Sequence, residues 1–448
     1  MSFIKNTITC IFMSLLLYGA LHPDVAQAQG VIRDAEIEHD LRVIGDPIFD
    51  SAGLIPDQVR IIIINEDVIN AFVAGGQNLF LYTGLILATK NVSELAGVMA
   101  HESGHMAGGH LIRMEGMAEH ASVESLIAMA LGVAVGVGGH AGDAGMATAM
   151  GGGELANRLM LSHTRVIESS ADQSGMASLS RLGYSAQGMS DFLGRLSQEE
   201  VLPEMQRSQY ALTHPLSRER MEAVNAYIAN HPGRKEFPAE WQEDYKRLRA
   251  KIMAFNAPDQ ALAEYATDDS IVGKYARAIA LYRKTKISDA LKMLDGLQST
   301  EPTNGYFYDL RGQIQFEQGR INESIDAWRR ATELEPKEGL IHLSLAQALL
   351  QDEKRDPDEA LRHLMSARDN GEQDTSQVYR WMAVAYGREG NEGRAKLSLA
   401  EEAMLKGDKE FAIDQARRAE KLLTNDPTSL QQARDIEATA GRMKKDKK

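Results

Sequence analysis

The sequence predicts a mainly α protein in two parts: a helical domain with a small β-sheet, then a solenoid of paired helices. Three observations predict it. The pentad His101-Glu102-Ser103-Gly104-His105 sits in the run ELAGVMAHESGHMAGGHL, whose apolar Leu95, Val98, Met99, Met106 and Leu111 keep a mostly helical period. Upstream, VRIIII (59–64) reads as a short buried strand. Downstream, a 34-residue period begins near residue 271, the length of one helix–turn–helix repeat.

The 448-residue chain is long enough for two or three domains. Its first residues carry Lys5, an apolar core over 8–20 and the small-x-small site Ala26-Gln27-Ala28. They predict a signal peptide over 1–28, cleaved after Ala28, and hence an exported protein, which the periplasm fits without being demanded. The rival is a retained anchor, for which the core is too short to span comfortably. Cys10, the only cysteine, lies inside that core. The mature protein would therefore have neither disulfides nor thiolate chemistry. A formal net charge of -14 argues against nonspecific nucleic-acid binding, and no nucleic-acid module is present in the sequence.

The domain over 29–230 opens with the amphipathic run VIRDAEIEHDLRVIGDPIF, a helix that Pro47 should end or immediately follow. The strand at 59–64 comes next, then a turn over 65–68. Gly75-Gly76 marks a tight turn, and Gln77 to Tyr82 alternates enough to be a second strand.

Residues four apart on a helix share a face, so His101 and His105 can aim two imidazoles at one metal ion. Glu102 stands beside them, placed to take a proton from water. A chance HxxxH pair is the bland alternative, and it weakens only if a third ligand exists. The run ANRLMLSHTRVIESSADQSGMASLSRLGY (156–184) supplies one on a second buried helix. There Glu168 can be the third ligand and Asp172, one turn on, can orient a ligating histidine through its distal nitrogen. The rival is a pair of surface carboxylates. Ser169, Ala171 and the stretch Ser174-Gly175-Met176-Ala177 suit two helices in close approach instead. One Zn2+ per subunit is the expected cofactor.

HExxH followed by Glu168, Ala171 and Asp172 resembles the zinc-peptidase family that includes HtpX and the CAAX prenyl proteases. Asn70-Ala71-Phe72 with Gly75-Gly76, and Thr213-His214-Pro215 with Arg220, are similar to that family as well. The resemblance covers about 35 to 230 by motif. By layout, the whole chain looks like the soluble, periplasmic, repeat-bearing branch. The resemblance implies a zincin-like metalloprotease domain, misassembled outer-membrane proteins as substrates, and contact with the outer-membrane assembly machinery. It also implies that an extended substrate adds to a sheet edge at 77–82; an ordinary core strand is the alternative there. Gly104 inside the pentad lowers helix propensity. It allows close backbone packing and removes no ligand.

The segment 121–156 is rich in Ala, Gly, Met and Val. It is expected to be a helical hairpin or a mobile cover beside the active site, able to touch the membrane surface; a buried core helix pair is the rival. His110, His140 and His163 are expected not to be ligands. In QYALTHPLSRERMEAVNAYI, His214 has three candidate roles: a cap on the zinc's open position, an oxyanion donor, or a satisfied core histidine. Arg220 on the following helix can point back at the carboxylates.

A charged connector is expected over 231–270 and repeats over 271–440. Ala290 and Ser324, like Pro302 and Pro336, lie 34 apart. Tyr308, Gly312, Gly319, Trp328, Ala331 and Pro336 fall at tetratricopeptide (TPR) spacings, and two extra residues enter near Asp356-Pro357. Such stacked helix pairs make a concave surface for a peptide or partner. The tail 441–448 is expected to be disordered. Two functions fit: an endopeptidase that recruits protein substrates through the repeats, or a chaperone or scaffold that rarely cleaves. A pure scaffold would not need HExxH with Glu168 and Asp172.

Overall fold

The computed structural model describes residues 30–109, 154–198, 208–215, 217–352 and 355–445, with side chains except in 154–164, at 212 and in 443–445. The expected signal peptide, nearly all of 121–156, His110, His140 and the His163 side chain lie outside the described residues. Contacts divide the chain into two compact units. One comprises residues up to Arg33 with Glu38–Ile252, the other Asp34–Ile37 with Met253–Lys448. The architecture is mainly α with one small mixed sheet.

The first unit begins with β1 (Val31–Ile32) and α1 (Ala35–Ser51), followed by β2 (Arg60–Ile64), β3 (Ala71–Ala74) and β4 (Asn78–Tyr82). Pro47 lies inside α1 rather than ending it. Ile44, Ile48 and Phe49 are fully buried around it. Burying such side chains is worth roughly 1.5–3 kcal/mol each, enough together to outweigh about 3 kcal/mol for an interior proline. The strand order is β1-β2-β4-β3, with β2 and β4 parallel and the other pairs antiparallel. Phe72 pairs with Phe80 in register, and their rings stack 4.6 Å apart.

This order corrects one expectation. β4 is paired on both sides and all five of its residues are buried, so 77–82 is not an edge. Among the described residues the edge strands are β1 and β3, and the one beside β4 is β3, a strand not read from the sequence.

Helices α2 (Thr83–Ala88), α3 (Val92–Ala107), α4 (Glu154–Leu182), α5 (Gln187–Leu196), α6 (Gln209–Thr213) and α7 (Arg218–Asn230) follow. Asn91 caps α3 by accepting a hydrogen bond from the Glu94 N–H at 3.0 Å. The Glu94 carboxylate, itself buried, receives both terminal nitrogens of Arg195 from α5. From Glu94 to His105 every residue of α3 is buried, as expected of a helix surrounded by protein. Its tightest neighbour is α4. A Cβ on Gly104 would lie 2.5 Å from the Ala171 carbonyl oxygen, and one on Gly175 would lie 2.7 Å from that of Ala100. Reciprocal glycines therefore let the two backbones touch.

The stretch expected as a connector is itself largely helical: α8 (Ala239–Asn256) and α9 (Pro258–Glu264) occupy it. Its charged residues alternate with the buried Trp241, Tyr245, Leu248 and Ile252, which give α8 an apolar stripe.

The second unit continues as consecutive helices: α10 (Ile271–Arg283), α11 (Ile287–Thr300), α12 (Gly305–Glu317), α13 (Ile321–Leu334), α14 (Gly339–Leu349), α15 (Pro357–Ala367), α16 (Ser376–Arg388), α17 (Glu392–Leu405), α18 (Lys409–Leu422) and α19 (Pro427–Lys445). α10, α12 and α14 start 34 residues apart, at 271, 305 and 339. α13 and α15 start 36 apart, at 321 and 357, which places the two extra residues where the sequence suggested them. α19 runs to Lys445, so the expected disordered tail is helical over 441–445. Arg442, Met443, Lys444 and Lys445 are all good helix formers. Among the described residues, no helix is long and apolar enough to cross a membrane.

Candidate metal centre

His101 and His105 lie one turn apart on α3, and their Nε2 atoms approach to 3.1 Å. From α4, Glu168 presents Oε1 at 3.3 Å from His105 Nε2 and Oε2 at 3.4 Å from His101 Nε2. His214, at the C-terminus of α6, brings Nδ1 to 3.3 Å from His101 Nε2 and 3.2 Å from Glu168 Oε2. All four side chains are buried, and their donor atoms lie within 4.8 Å of one another. Two ligands about 2.05 Å from a tetrahedral zinc stand roughly 3.3 Å apart. The spacings match that edge length. Two imidazole nitrogens at 3.1 Å can share at most a proton between them, whereas a cation satisfies every lone pair at once. The donor set fits one metal ion.

The surrounding contacts fix which nitrogens face inward. His101 Nδ1 is 2.9 Å from Asp172 Oδ1 and donates to it, turning the Nε2 lone pair toward the cluster. His214 Nε2 lies 3.3 Å from the Ala71 carbonyl oxygen on β3, a natural acceptor, which leaves Nδ1 facing the cluster. Arg220 from α7 clamps the carboxylates. Its Nε and Nη2 donate to Asp172 at 2.7 and 2.8 Å, and Nη1 reaches Glu168 Oε2 at 3.0 Å and the Pro215 carbonyl at 2.8 Å. Burial disfavours charge on both carboxylates. Hydrogen bonds outweigh it, from His101, His105 and His214 for Glu168 and from His101 and Arg220 for Asp172, and hold both below the usual range.

Glu102 is fully buried beside the cluster. Its Oε1 lies 3.4 Å from the Tyr210 hydroxyl and 3.5 Å from His214 Nε2. Its Oε2 has no hydrogen-bond partner among the described residues. A buried carboxylate with one oxygen not engaged by a described residue, next to a metal-ligand set, can act as a base.

Every residue singled out in the sequence for this chemistry therefore meets here: His101, Glu102, His105, Glu168, Asp172, His214 and Arg220. Asn70 is nearby and buried, its Nδ2 3.3 Å from Gln209 Oε1. Tyr210 was missed. The only available signal was its position four residues before His214, which puts both rings on one side of a helical turn.

Comparison with known proteins agrees with this geometry. Residues 35–228 match the sequence profile of peptidase family M48. The chain is similar to the beta-barrel assembly-enhancing protease of Yersinia pestis, 28% identical over 336 residues, covering 72% of this chain and 67% of that protein. The protein of the same name from Escherichia coli (strain K12) is 29% identical over 335 residues, covering 72% and 66%. A putative one from Vibrio cholerae serotype O1 is 28% identical over 306 residues, covering 66% and 62%. The chain thus spans about two thirds of the length of these relatives.

Proposed function

Since the chain carries the metalloprotease domain of peptidase family M48, we propose that it is a zinc-dependent endopeptidase acting in the periplasm on misassembled outer-membrane proteins. The observation that carries the reading is the convergence of His101, His105 and Glu168 at tetrahedral spacing, with Glu102 beside them, its Oε2 without a hydrogen-bond partner among the described residues. Zinc, when bound, supplies Lewis-acid polarisation of the scissile carbonyl and makes a water acidic enough to be deprotonated near neutral pH. Glu102 takes that proton and passes it to the leaving amine. Asp172 and Arg220 hold the ligands in place.

β3 is the edge to which an extended substrate would add, its main chain supplying affinity with little sequence preference. His214 is hydrogen-bonded to that strand at Ala71 and aims Nδ1 at the ligand set. This favours His214 as an extra ligand that restrains the resting enzyme over a role as oxyanion donor. The outer-membrane substrate class rests on the printed names of the relatives, which tie them to β-barrel assembly. The repeats of the second unit would recruit substrate or the assembly machinery.

The test is metal content together with casein cleavage by the wild type and Glu102→Gln. The variant should keep its zinc and fold and lose cleavage. Normal turnover by a folded, zinc-loaded Glu102→Gln protein would defeat the reading. Zinc-loaded wild type that never cleaves, yet suppresses client aggregation, would favour the chaperone alternative.

A further inference from the structure

Tyr210 is 1% exposed, its ring packs against two others, and its main chain is tied to the strand region before β3. Phe192 packs edge-on at 5.7 Å, the His214 ring lies at 4.4 Å, and the Tyr210 N–H donates to the Ile69 carbonyl at 3.0 Å. The ring therefore has one place to put its hydroxyl, and that place is 3.4 Å from Glu102 Oε1. The other carboxylate oxygen, Oε2, is buried and has no hydrogen-bond partner among the described residues. A carboxylate free to rotate about its last bond presents either oxygen to an incoming water. One with a donor fixed on Oε1 presents only Oε2.

From this we infer that Tyr210 is a positioning residue for Glu102, donating its hydroxyl to Oε1 so that Oε2 is always the oxygen that receives the proton. The inference rests on Glu102 being the base. The step balances as follows. The water proton moves to Oε2 while the water oxygen bonds to the scissile carbonyl carbon. The same proton then goes to the amide nitrogen as the carbon–nitrogen bond breaks. Tyr210 keeps its own proton throughout. A phenol ordinarily holds its proton until about pH 10, so near neutral pH it remains a donor. A second consequence concerns α6. It carries Tyr210 at its start and His214 just past its end, with the His214 N–H bonded to the Tyr210 carbonyl at 2.8 Å. One short element thus orients the base and holds the imidazole.

Tyr210→Phe tests this, because it removes one oxygen and keeps the packed ring. Full-length wild type, Tyr210→Phe and Glu102→Gln are compared on an unstructured casein substrate, with zinc content and thermal midpoint measured for each. A hydrogen bond to a charged group at this length corresponds to about a tenfold loss of kcat. The expected result is that loss with KM, zinc content and thermal midpoint unchanged, a split that loss of packing or of metal would not give. Wild-type kcat in Tyr210→Phe with an inactive Glu102→Gln would overturn the inference and leave Glu102 as base. Full activity of Glu102→Gln would overturn the reading beneath it. A Tyr210→Phe protein that loses zinc, or that changes only KM, would also overturn the positioning role.

Discussion

The distance between α3 and α4 should set metal affinity, and Gly104→Ala tests it. The new methyl would sit 2.5 Å from the Ala171 carbonyl oxygen, where ordinary contact begins near 3.4 Å. The two backbones would have to part by roughly 0.9 Å, because a main-chain oxygen in a helix cannot swing aside as a side chain can. Alanine gains about 0.5–1 kcal/mol over glycine in a helix interior, and overpacking costs about 1–3 kcal/mol, so net stability should fall only modestly. The larger effect lies at the ligands. Ala171 stands next to Asp172 and less than a turn from Glu168, whereas His101 and His105 flank Gly104. Metal sites tolerate only about 0.2 Å in ligand distance, so a shift of this size should weaken zinc binding at least tenfold. The assay is zinc affinity by competition with a chromophoric chelator, beside the thermal midpoint of the metal-free protein. Gly296→Ala is the control. It lies in α11 with nothing within 4 Å of the added carbon, and should leave zinc binding unchanged. Wild-type zinc affinity and turnover in Gly104→Ala would refute the reasoning.

Four further outcomes are expected. Arg220→Ala takes the guanidinium from the buried Asp172 and Glu168, leaving them only their histidine partners, and should destabilise the metal-free protein by about 3 kcal/mol in urea denaturation; Arg220→Lys, which cannot reproduce the fork, should recover only part of this, and an unchanged urea midpoint would refute it. Glu168→Ala should lose zinc and cleavage together, whereas normal zinc content in that variant would reject it as a ligand. His214→Ala should raise basal cleavage of an unstructured protein at unchanged zinc content; a fall of 10²-fold or more would instead mark an oxyanion donor. In the second unit, burial and the adjacent His342 hold His363 down at about 4, while the unfolded residue titrates near 6.5. The unfolded chain therefore binds more protons between those values, and stability should fall as pH drops through that window and level off below it. His363→Gln should flatten the loss by roughly 1–2 kcal/mol, discounted for partial exposure, and an unchanged pH slope of the urea midpoint would refute this.

Much of the site was legible because helical spacing is local. His101 with His105, and Glu168 with Asp172, are each one turn apart, and one turn is all the sequence needs to place two side chains on one face. Arg220 was legible through the resemblance that it carries with Thr213-His214-Pro215, and its helix after Ser217 allowed it to point back at the carboxylates. What failed was non-local or too short to be periodic. β3 has four residues before a double glycine, and α6 has five, so neither shows a repeat; Tyr210 went unnoticed with α6. That β4 is internal depends on β2 crossing over to pair beside it, and no local pattern reports strand order. Pro47 followed the rule for an isolated helix, but Ile44, Ile48 and Phe49 buried around it decided otherwise. The helical α8 was hidden by its charges, and its stripe of Trp241, Tyr245, Leu248 and Ile252 was the signal to weigh.

The wide separation of the site residues along the chain also governs when the enzyme can become active. His101 meets Asp172 across 71 residues and His214 across 113, and Arg220 closes on Asp172 across a further 48. Contacts between such distant segments form late, because each must first meet the entropy of closing a long loop. A growing chain exposes the HExxH helix long before the segment that carries His214 and Arg220 has emerged. Until that segment docks, Glu168 and Asp172 lack their cation and Glu102 lacks the Tyr210 hydroxyl. The protein is thus born without a working blade. Its cutting chemistry arrives only with the completed domain, which guards both the nascent chain and its neighbours.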